Sequence, residues 1–562
     1  MNDKKIFLIF LISAALFSCK SESPVITSID PKIGRMGEVI TLTGSSFGES
    51  RNESYVSIAG ILPTNSSYYL WEDDCIIVRV PELGDSGLVY IHVNGKKSNG
   101  VLFSNSASVP RPVEGEELGL EPRISSINPQ AGMPGSVITI TGNNFGISRE
   151  NTLRTAAQQA AHQTAQQTAA QSYGVFFSWD YEPGTANPYA VRDPEHIEVS
   201  EIELGYEFWS QRELRVRVPD GAISGNVEVR TPHGSSRPVY FEVSGKPGTK
   251  TFKDKRSYTV TYSVDIRVQD ASRPNTLYLW TPKPVISPSQ RNVTLVSRNT
   301  EPFAENHRGV SLFKLDNLGA GANQSINLSF RVDVYAVETA IRAASVKQEK
   351  NPLSAMYAQN TSLIPCDNLH IRSTVNSIIG REQNVYNKAR AIYNWIINNV
   401  RITDEILSDT NLITALERKH ADSYTSALLF TTMARAAGIP CIPIAGVLVD
   451  KNGRTANHYW TEIWIDGFGW IPVDPAMGSG AVTFIYNAIN IQNPASYYFG
   501  NIDSNRIAFS RGEVALTQVE NRGRTVFHKQ SYSLQNIWEE AVGGLDSYSS
   551  LWRDITISGI YQ

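Results

Sequence analysis

The chain has 562 residues, of which 41% are hydrophobic and 10% aromatic, enough for several packed cores and outside the composition of a disordered chain. Its formal net charge is −4 with no long basic run, which excludes the electrostatic footprint of a nucleic-acid binder or of a protein held on an anionic membrane by charge. Cys75, Cys366 and Cys441 follow Cys19 at irregular spacing, which argues against a disulfide framework or a zinc site; no metal motif appears and no cofactor is expected.

In chain order, Lys4-Lys5 precede an apolar run from Ile6 to Phe17, then Ser18 and Cys19, the layout of an export signal. The run is about a dozen residues, whereas a membrane span takes roughly 20, so it is not read as a permanent transmembrane helix. Leu16-Phe17-Ser18-Cys19 resembles a bacterial lipobox. The resemblance implies a signal peptide over 1–18, lipidation of Cys19, a short tether over 19–23, and anchoring to a bacterial membrane in the cell envelope.

A repeat organises the first half. PVITSIDPKIGRMGEVITLTGSSFG from Pro24 returns as PRISSINPQAGMPGSVITITGNNFG from Pro122, an offset of 98 residues. Val39–Thr43 and Val137–Thr141 read as strands, with Gly44 and Gly142 where the chain must turn away. Val78-Arg79-Val80-Pro81 recurs as Val216-Arg217-Val218-Pro219 at an offset of 138, so the second copy carries about 40 extra residues, including the Ala/Gln/Thr run Thr155–Gln171. That run has no apolar stripe and reads as a solvated helix or flexible insert. Both copies resemble IPT/TIG domains, immunoglobulin-like β-sandwiches, over 24–107 and 122–245, with a linker over 108–121. The reading favoured for such modules is that of spacers. A third strand-rich block over 251–345, with Tyr258–Val268, Leu277–Trp280 and Ile326–Val334 in alternation, reads as another β-sandwich.

Asn384–Val400 places Ala389, Ile392, Trp395 and Ile396 on one helical stripe. A second helix is predicted over Ser423–Ala437, capped by Asp422, with Ala427, Leu428, Phe430, Thr431 and Ala434 inward and Gly438 and Pro440 ending it. Two strand-like pieces follow, Cys441–Val449 and Tyr459–Ile465. ADSYTSALLFTTMARAAGIPCIPIAGV and HYWTEIWIDGFGWIPVDP resemble the nucleophile helix and the His and Asp strands of transglutaminase-like (papain-like) domains. The resemblance implies an α+β domain over 350–500, followed by a C-terminal extension over 501–562. The fold class expected is therefore multidomain: all-β immunoglobulin-like sandwiches, then an α+β transglutaminase-like domain. His458 falls on the family's base, Asp474 on the residue that orients it, and Trp460 and Trp470 on cleft scaffold.

The family's cysteine falls on Ser423. A thiol with pKa about 8.5 can rest as a thiolate beside an imidazolium and a helix N-terminus, whereas a serine hydroxyl must give up its proton to the base during attack. Cys441 lies at the far end of the helix, about 22 Å away for fifteen residues at 1.5 Å each, and reads as a small buried residue. Three readings stand at this point. One is acyl transfer or amide hydrolysis on a protein or cell-wall substrate, with Ser423, His458 and Asp474 as the triad. Another is a catalytically inactive relative that keeps the cleft for binding, with Ser423 merely a helix-start residue. The third is a structural surface protein or adhesin.

Overall fold

The structure is a computed structural model that describes residues 23–81, 86–105, 121–146, 173–179, 196–200, 205–245, 248–307, 309–347, 357–482, 491–520, 522–528 and 530–561. The expected signal peptide, Cys19, the linker as far as residue 120 and the Thr155–Gln171 run lie outside them. Among the described residues no helix is long and apolar enough to cross a membrane.

The duplication is visible bond by bond. Strands 25–30, 39–45, 75–79 and 68–71 form one sheet of the first sandwich, and 123–128, 137–143, 213–217 and 206–209 form its counterpart in the same order. Ile26 pairs with Gly44 and Ile29 with Leu42; Ile124 pairs with Gly142 and Ile127 with Ile140, with the register slipping at the same place. The repeated glycine has a steric cause. A Cβ on Gly44 would stand 1.9 Å from the Val25 carbonyl oxygen and one on Gly142 2.0 Å from that of Arg123. The buried Trp71 and Trp209 indoles donate to the Phe47 and Phe145 carbonyls, each at 2.9 Å, and the Tyr68 and Tyr206 hydroxyls accept from the Val56 and Val175 amides.

The third sandwich is built on two long strands, Gly248–Asp270 and Asn323–Ile341, paired from Gly248↔Ile341 to Arg267↔Asn323. It is not complete within 251–345. Ser547–Trp552 and Thr556–Tyr561 pair with Gly248–Asp270, and Glu539–Gly543 pairs with Asn275–Pro282, so the far C-terminus supplies strands to both of its sheets. These strands cover what would otherwise be bare strand edges, and Trp538, Leu545 and Ile555 enter the core beside Val264 and Leu279. The segment expected as one extension over 501–562 is thus divided between this sandwich and the α+β unit.

In that unit the longer helices are α1 (Leu369–Ile379), α2 (Val385–Asn399), α3 (Leu412–Arg418) and α4 (Ser423–Ala436). Asn368, Asn384, Asn411 and Asp422 cap them with side-chain oxygens, closing the orphan amides of each first turn. The sheet comprises β1 (Cys441–Val449), β2 (Thr455–Ile465), β3 (Gly469–Val473) and β4 (Arg506–Arg511), in the order β3-β2-β1-β4. The sequence predicts one inward stripe on α4, but every residue from Thr425 to Arg435 is buried. The helix touches β1 and β2 and also α1 and α2, so it has no solvent face. Thr431 and Thr432 are tolerated there because their hydroxyls donate to the Ala427 and Leu428 carbonyls at 2.9 and 2.8 Å.

The sandwiches pack directly on the α+β unit. Ile444, Trp460, Ile502 and Ala508 of the α+β unit share one apolar cluster with the core of the second sandwich, and Tyr69 of the first packs with Ile442, Trp464 and Trp470.

Candidate active site

The fold brings Ser423, His458 and Asp474 together. Ser423 is the first residue of α4, set there by the Asp422 cap, whose Oδ1 accepts from the Thr425 amide at 2.8 Å. His458 lies on β2, and Asp474 follows β3 as the cap of a short helix, Pro475–Gly478. Ser423 Oγ is 2.9 Å from His458 Nδ1, and His458 Nε2 is 2.7 Å from Asp474 Oδ2. His458 and Asp474 are 1% and 0% exposed, while Ser423 keeps partial access to solvent.

The hydrogen-bond donors fix the direction of the proton. Burial works against the Asp474 carboxylate, but the charge of His458, its hydrogen bond and the Arg506 guanidinium outweigh it and hold the group below the ordinary carboxylate range. An ionised Asp474 only accepts, so His458 presents Nε2–H to it; in the neutral form of the ring, Nδ1 then carries the lone pair that can take the serine proton. Ser423 Oγ also accepts from the Tyr459 amide at 3.0 Å, and of the two acceptors within reach of its own proton, His458 Nδ1 at 2.9 Å is nearer than the Tyr459 carbonyl at 3.4 Å. In the familiar Ser-His-Asp arrangement the nucleophile meets Nε2 and the aspartate Nδ1. Here the ring is the other way round.

Neither buried cysteine substitutes for Ser423. Burial pushes the Cys441 thiol up to about 12 and the Cys366 thiol up to about 11. Both feel the charge of Arg435, twelve residues along α4 from Ser423, or about 18 Å at 1.5 Å per residue.

Trp460 lies nearly parallel to the His458 ring, with centroids 6.2 Å apart, and so touches the site. Trp470 lines a cavity with Trp460 and Arg506. It is the second residue of β3 and packs edge-on against Trp464 and Tyr357 where the α+β unit meets the first sandwich. His420 is half-buried in a two-residue strand paired with Arg401–Ile402.

Residues beyond the motifs complete the surroundings. Arg506 Nη1 donates to Asp474 Oδ2 at 2.9 Å and its Nη2 donates to Asp503 at 2.5 Å. Gln530 Nε2 donates to Asp422 Oδ2 at 2.9 Å and to the Leu407 carbonyl at 3.1 Å, while the Tyr459 hydroxyl donates to the Ser531 carbonyl and Leu534 packs on Ala427 and Tyr459. The tail therefore lies against the start of α4. Nothing in the sequence around Gln530 marks it, since its partners lie 108 and 123 positions away.

The Transglutaminase-like superfamily model matches residues 372–475, and the IPT/TIG domain model matches 24–108 and 122–162. The chain carries a transglutaminase-like domain behind immunoglobulin-like IPT/TIG domains. An uncharacterised protein of Haemophilus influenzae is 27% identical over 184 residues, 27% of this chain and 49% of that protein. A cyclomaltodextrin glucanotransferase of Paenibacillus macerans is 27% identical over 89 residues, 16% of this chain and 12% of the enzyme. The chain thus spans half or less of the curated relatives it matches. Among solved structures, a putative cysteine protease from Cytophaga hutchinsonii aligns with a TM-score of 0.35 at 16% identity, over 56% of this chain and 92% of that one. The periplasmic domain of TgpA from Pseudomonas aeruginosa aligns with a TM-score of 0.24 at 12% identity, over 41% of this chain and 93% of that one. Within the transglutaminase-like domain, the matched span contains Ser423, His458 and Asp474.

Proposed function

We propose that this chain is a lipid-anchored cell-envelope protein whose transglutaminase-like domain carries out acyl transfer or amide hydrolysis on a protein or cell-wall substrate, with Ser423 as nucleophile. The observation that carries the reading is the unbroken chain from Ser423 Oγ through His458 to Asp474, at 2.9 and 2.7 Å. In the acylation step the Oγ–H proton passes to His458 Nδ1 as Oγ bonds to the substrate carbonyl carbon. The C–N bond then breaks, and Nδ1–H returns the proton to the leaving amine. The amides of Ser423 and Tyr424, in the first turn that the helix itself leaves unused, are the donors for the oxyanion. Water or a second amine then takes the acyl group by the same steps in reverse.

A fluorophosphonate, which captures an activated serine without need of the substrate, is expected to label the protein at Ser423. Labelling falls by at least about 100-fold in His458→Ala, in line with the loss of a general base. Labelling that is absent in the unaltered protein, or unchanged in His458→Ala, sinks the catalytic reading and leaves the cleft as a binding surface. The anchor is tested in the same expression host, where fatty-acid incorporation is expected to vanish in Cys19→Ala; incorporation that persists rules out Cys19 as the attachment point.

A further inference from the structure

Behind the triad, a single carboxylate oxygen serves two cations. Asp474 Oδ2 receives both His458 Nε2 at 2.7 Å and Arg506 Nη1 at 2.9 Å, while Oδ1 takes the Met477 amide at 2.9 Å. Arg506 is 3% exposed and enters from β4, outside the span matched to the transglutaminase-like superfamily. It is held independently of the triad. Its Nη2 meets Asp503 at 2.5 Å, its guanidinium lies 5.0 Å from the Trp460 ring centroid, and Asp503 is fixed in turn by the Tyr498 hydroxyl and the Asn505 amide.

We propose that Arg506 is a positioning residue for the triad, clamping Asp474 through the oxygen that His458 uses and, by sharing it, lowering the pH at which His458 becomes a neutral base. The consequence for catalysis rests on the acyl-transfer reading; the effect on His458 does not. The charges of this cluster are Asp474, Asp503, Arg506 and His458; the Arg511–Glu462 and Lys250–Asp220 ion pairs line the cavity beside it, and Arg256 and Arg390 lie by Tyr258 and Tyr393. The nearby phenols of Tyr258, Tyr393, Tyr497 and Tyr498 are all pushed upward by burial and stay neutral. With His458 neutral, one guanidinium stands against two carboxylates, so a protonated His458 balances the group. Removing Arg506 and Asp503 together keeps that balance but takes the nearer, positive charge away from His458. The imidazolium is then favoured, and its pKa rises. The direction follows from distance, because Arg506 is bonded to the very oxygen that His458 uses, whereas Asp503 lies beyond the guanidinium.

The test uses the full chain with 15N-labelled histidine, so that the His458 ring is titrated directly by NMR, beside the pH profile of fluorophosphonate labelling. In Arg506→Met/Asp503→Asn the His458 midpoint is expected to move up by about one pH unit, and the acid limb of labelling with it. In Arg506→Lys the charge remains but a single ammonium lacks the fork that spans Asp474 and Asp503. There the midpoint holds and the labelling plateau drops about 10-fold. A midpoint unmoved in the double variant overturns the proposal. Should that variant fail to fold, an Arg506→Lys protein that labels like the unaltered one overturns it instead. If the unaltered protein never labels, the acyl-transfer reading fails, while the NMR midpoint still decides the role of Arg506.

Discussion

Ser423→Cys is expected to yield a thiol that alkylates as a thiolate near pH 6, with a pKa inside the range of about 3.5–7.5 found for thiols beside an imidazolium at a helix N-terminus, against about 8.5 for a free one. Three features act on the same atom. His458 Nδ1 stands 2.9 Å from the serine oxygen, Asp474 is held ionised behind it and so favours the imidazolium, and position 423 is the first residue of a fourteen-residue helix. Asp422 pulls the other way, being a carboxylate one residue upstream. Its charge is spread over bonds from the Thr425 amide, the Leu407 amide and Gln530 Nε2, whereas the imidazolium would touch the sulfur directly, and a charge-assisted contact outweighs a neighbour already engaged. Cys366 and Cys441 do not obscure the measurement, since burial holds both thiols above the range scanned. Adding His458→Ala to the variant should return the pKa to about 8.5 or higher. A thiol at position 423 that already titrates there with His458 intact would mean that the three features do not add up to an activating environment.

Much of this arrangement was legible in the sequence, and what was not has a common cause. The paired sandwiches were readable because a steric demand is written locally: only glycine fits beside the Val25 and Arg123 carbonyls, so Gly44 and Gly142 recur. The starts of α2 and α4 were readable for the same reason, since Asn384 and Asp422 cap amides within three residues. Ser423, His458 and Asp474 could be aligned because their motifs carry flanking turn residues. Arg506 and Gln530 could not, because an arginine on a strand or a glutamine in a tail acquires meaning only from a partner far along the chain. The full burial of α4 was hidden too. Its threonines look polar in sequence and bond back to their own helix in the fold. The packing at the junction was hidden as well, because the chain's hydrophobic pattern does not reveal that Ile444 and Trp460 complete the core of another domain.

That junction supplies the second large effect. Lys250→Met is expected to destabilise the protein by about 3–5 kcal/mol, the usual cost of leaving one member of a buried ion pair alone. Lys250 of the third sandwich bonds both oxygens of Asp220, from the second, at 2.6 and 2.8 Å, with the two side chains 5% and 1% exposed. The pair also reaches the transglutaminase-like domain. Lys250 Nζ donates to the Trp470 carbonyl at 2.5 Å and Asp220 accepts from the Trp470 amide at 3.1 Å. Gly469 has φ +89°, and a Cβ there would stand 2.3 Å from Asp220 Oδ1, so the glycine before Trp470 both makes the turn and admits the carboxylate. Asp220→Asn/Lys250→Met is therefore expected to recover about half of the loss. The amide oxygen still accepts from Trp470 and no charge is stranded, but the Trp470 carbonyl remains without its donor, at a cost of about 1–3 kcal/mol. Urea unfolding followed by tryptophan fluorescence measures all three proteins. A single variant that loses less than about 1 kcal/mol would show the pair to be incidental. Because β3 begins at the contacted strand end and finishes at Asp474, Lys250→Met should also slow labelling of Ser423. Full labelling in a destabilised Lys250→Met protein would place the effect in domain docking alone.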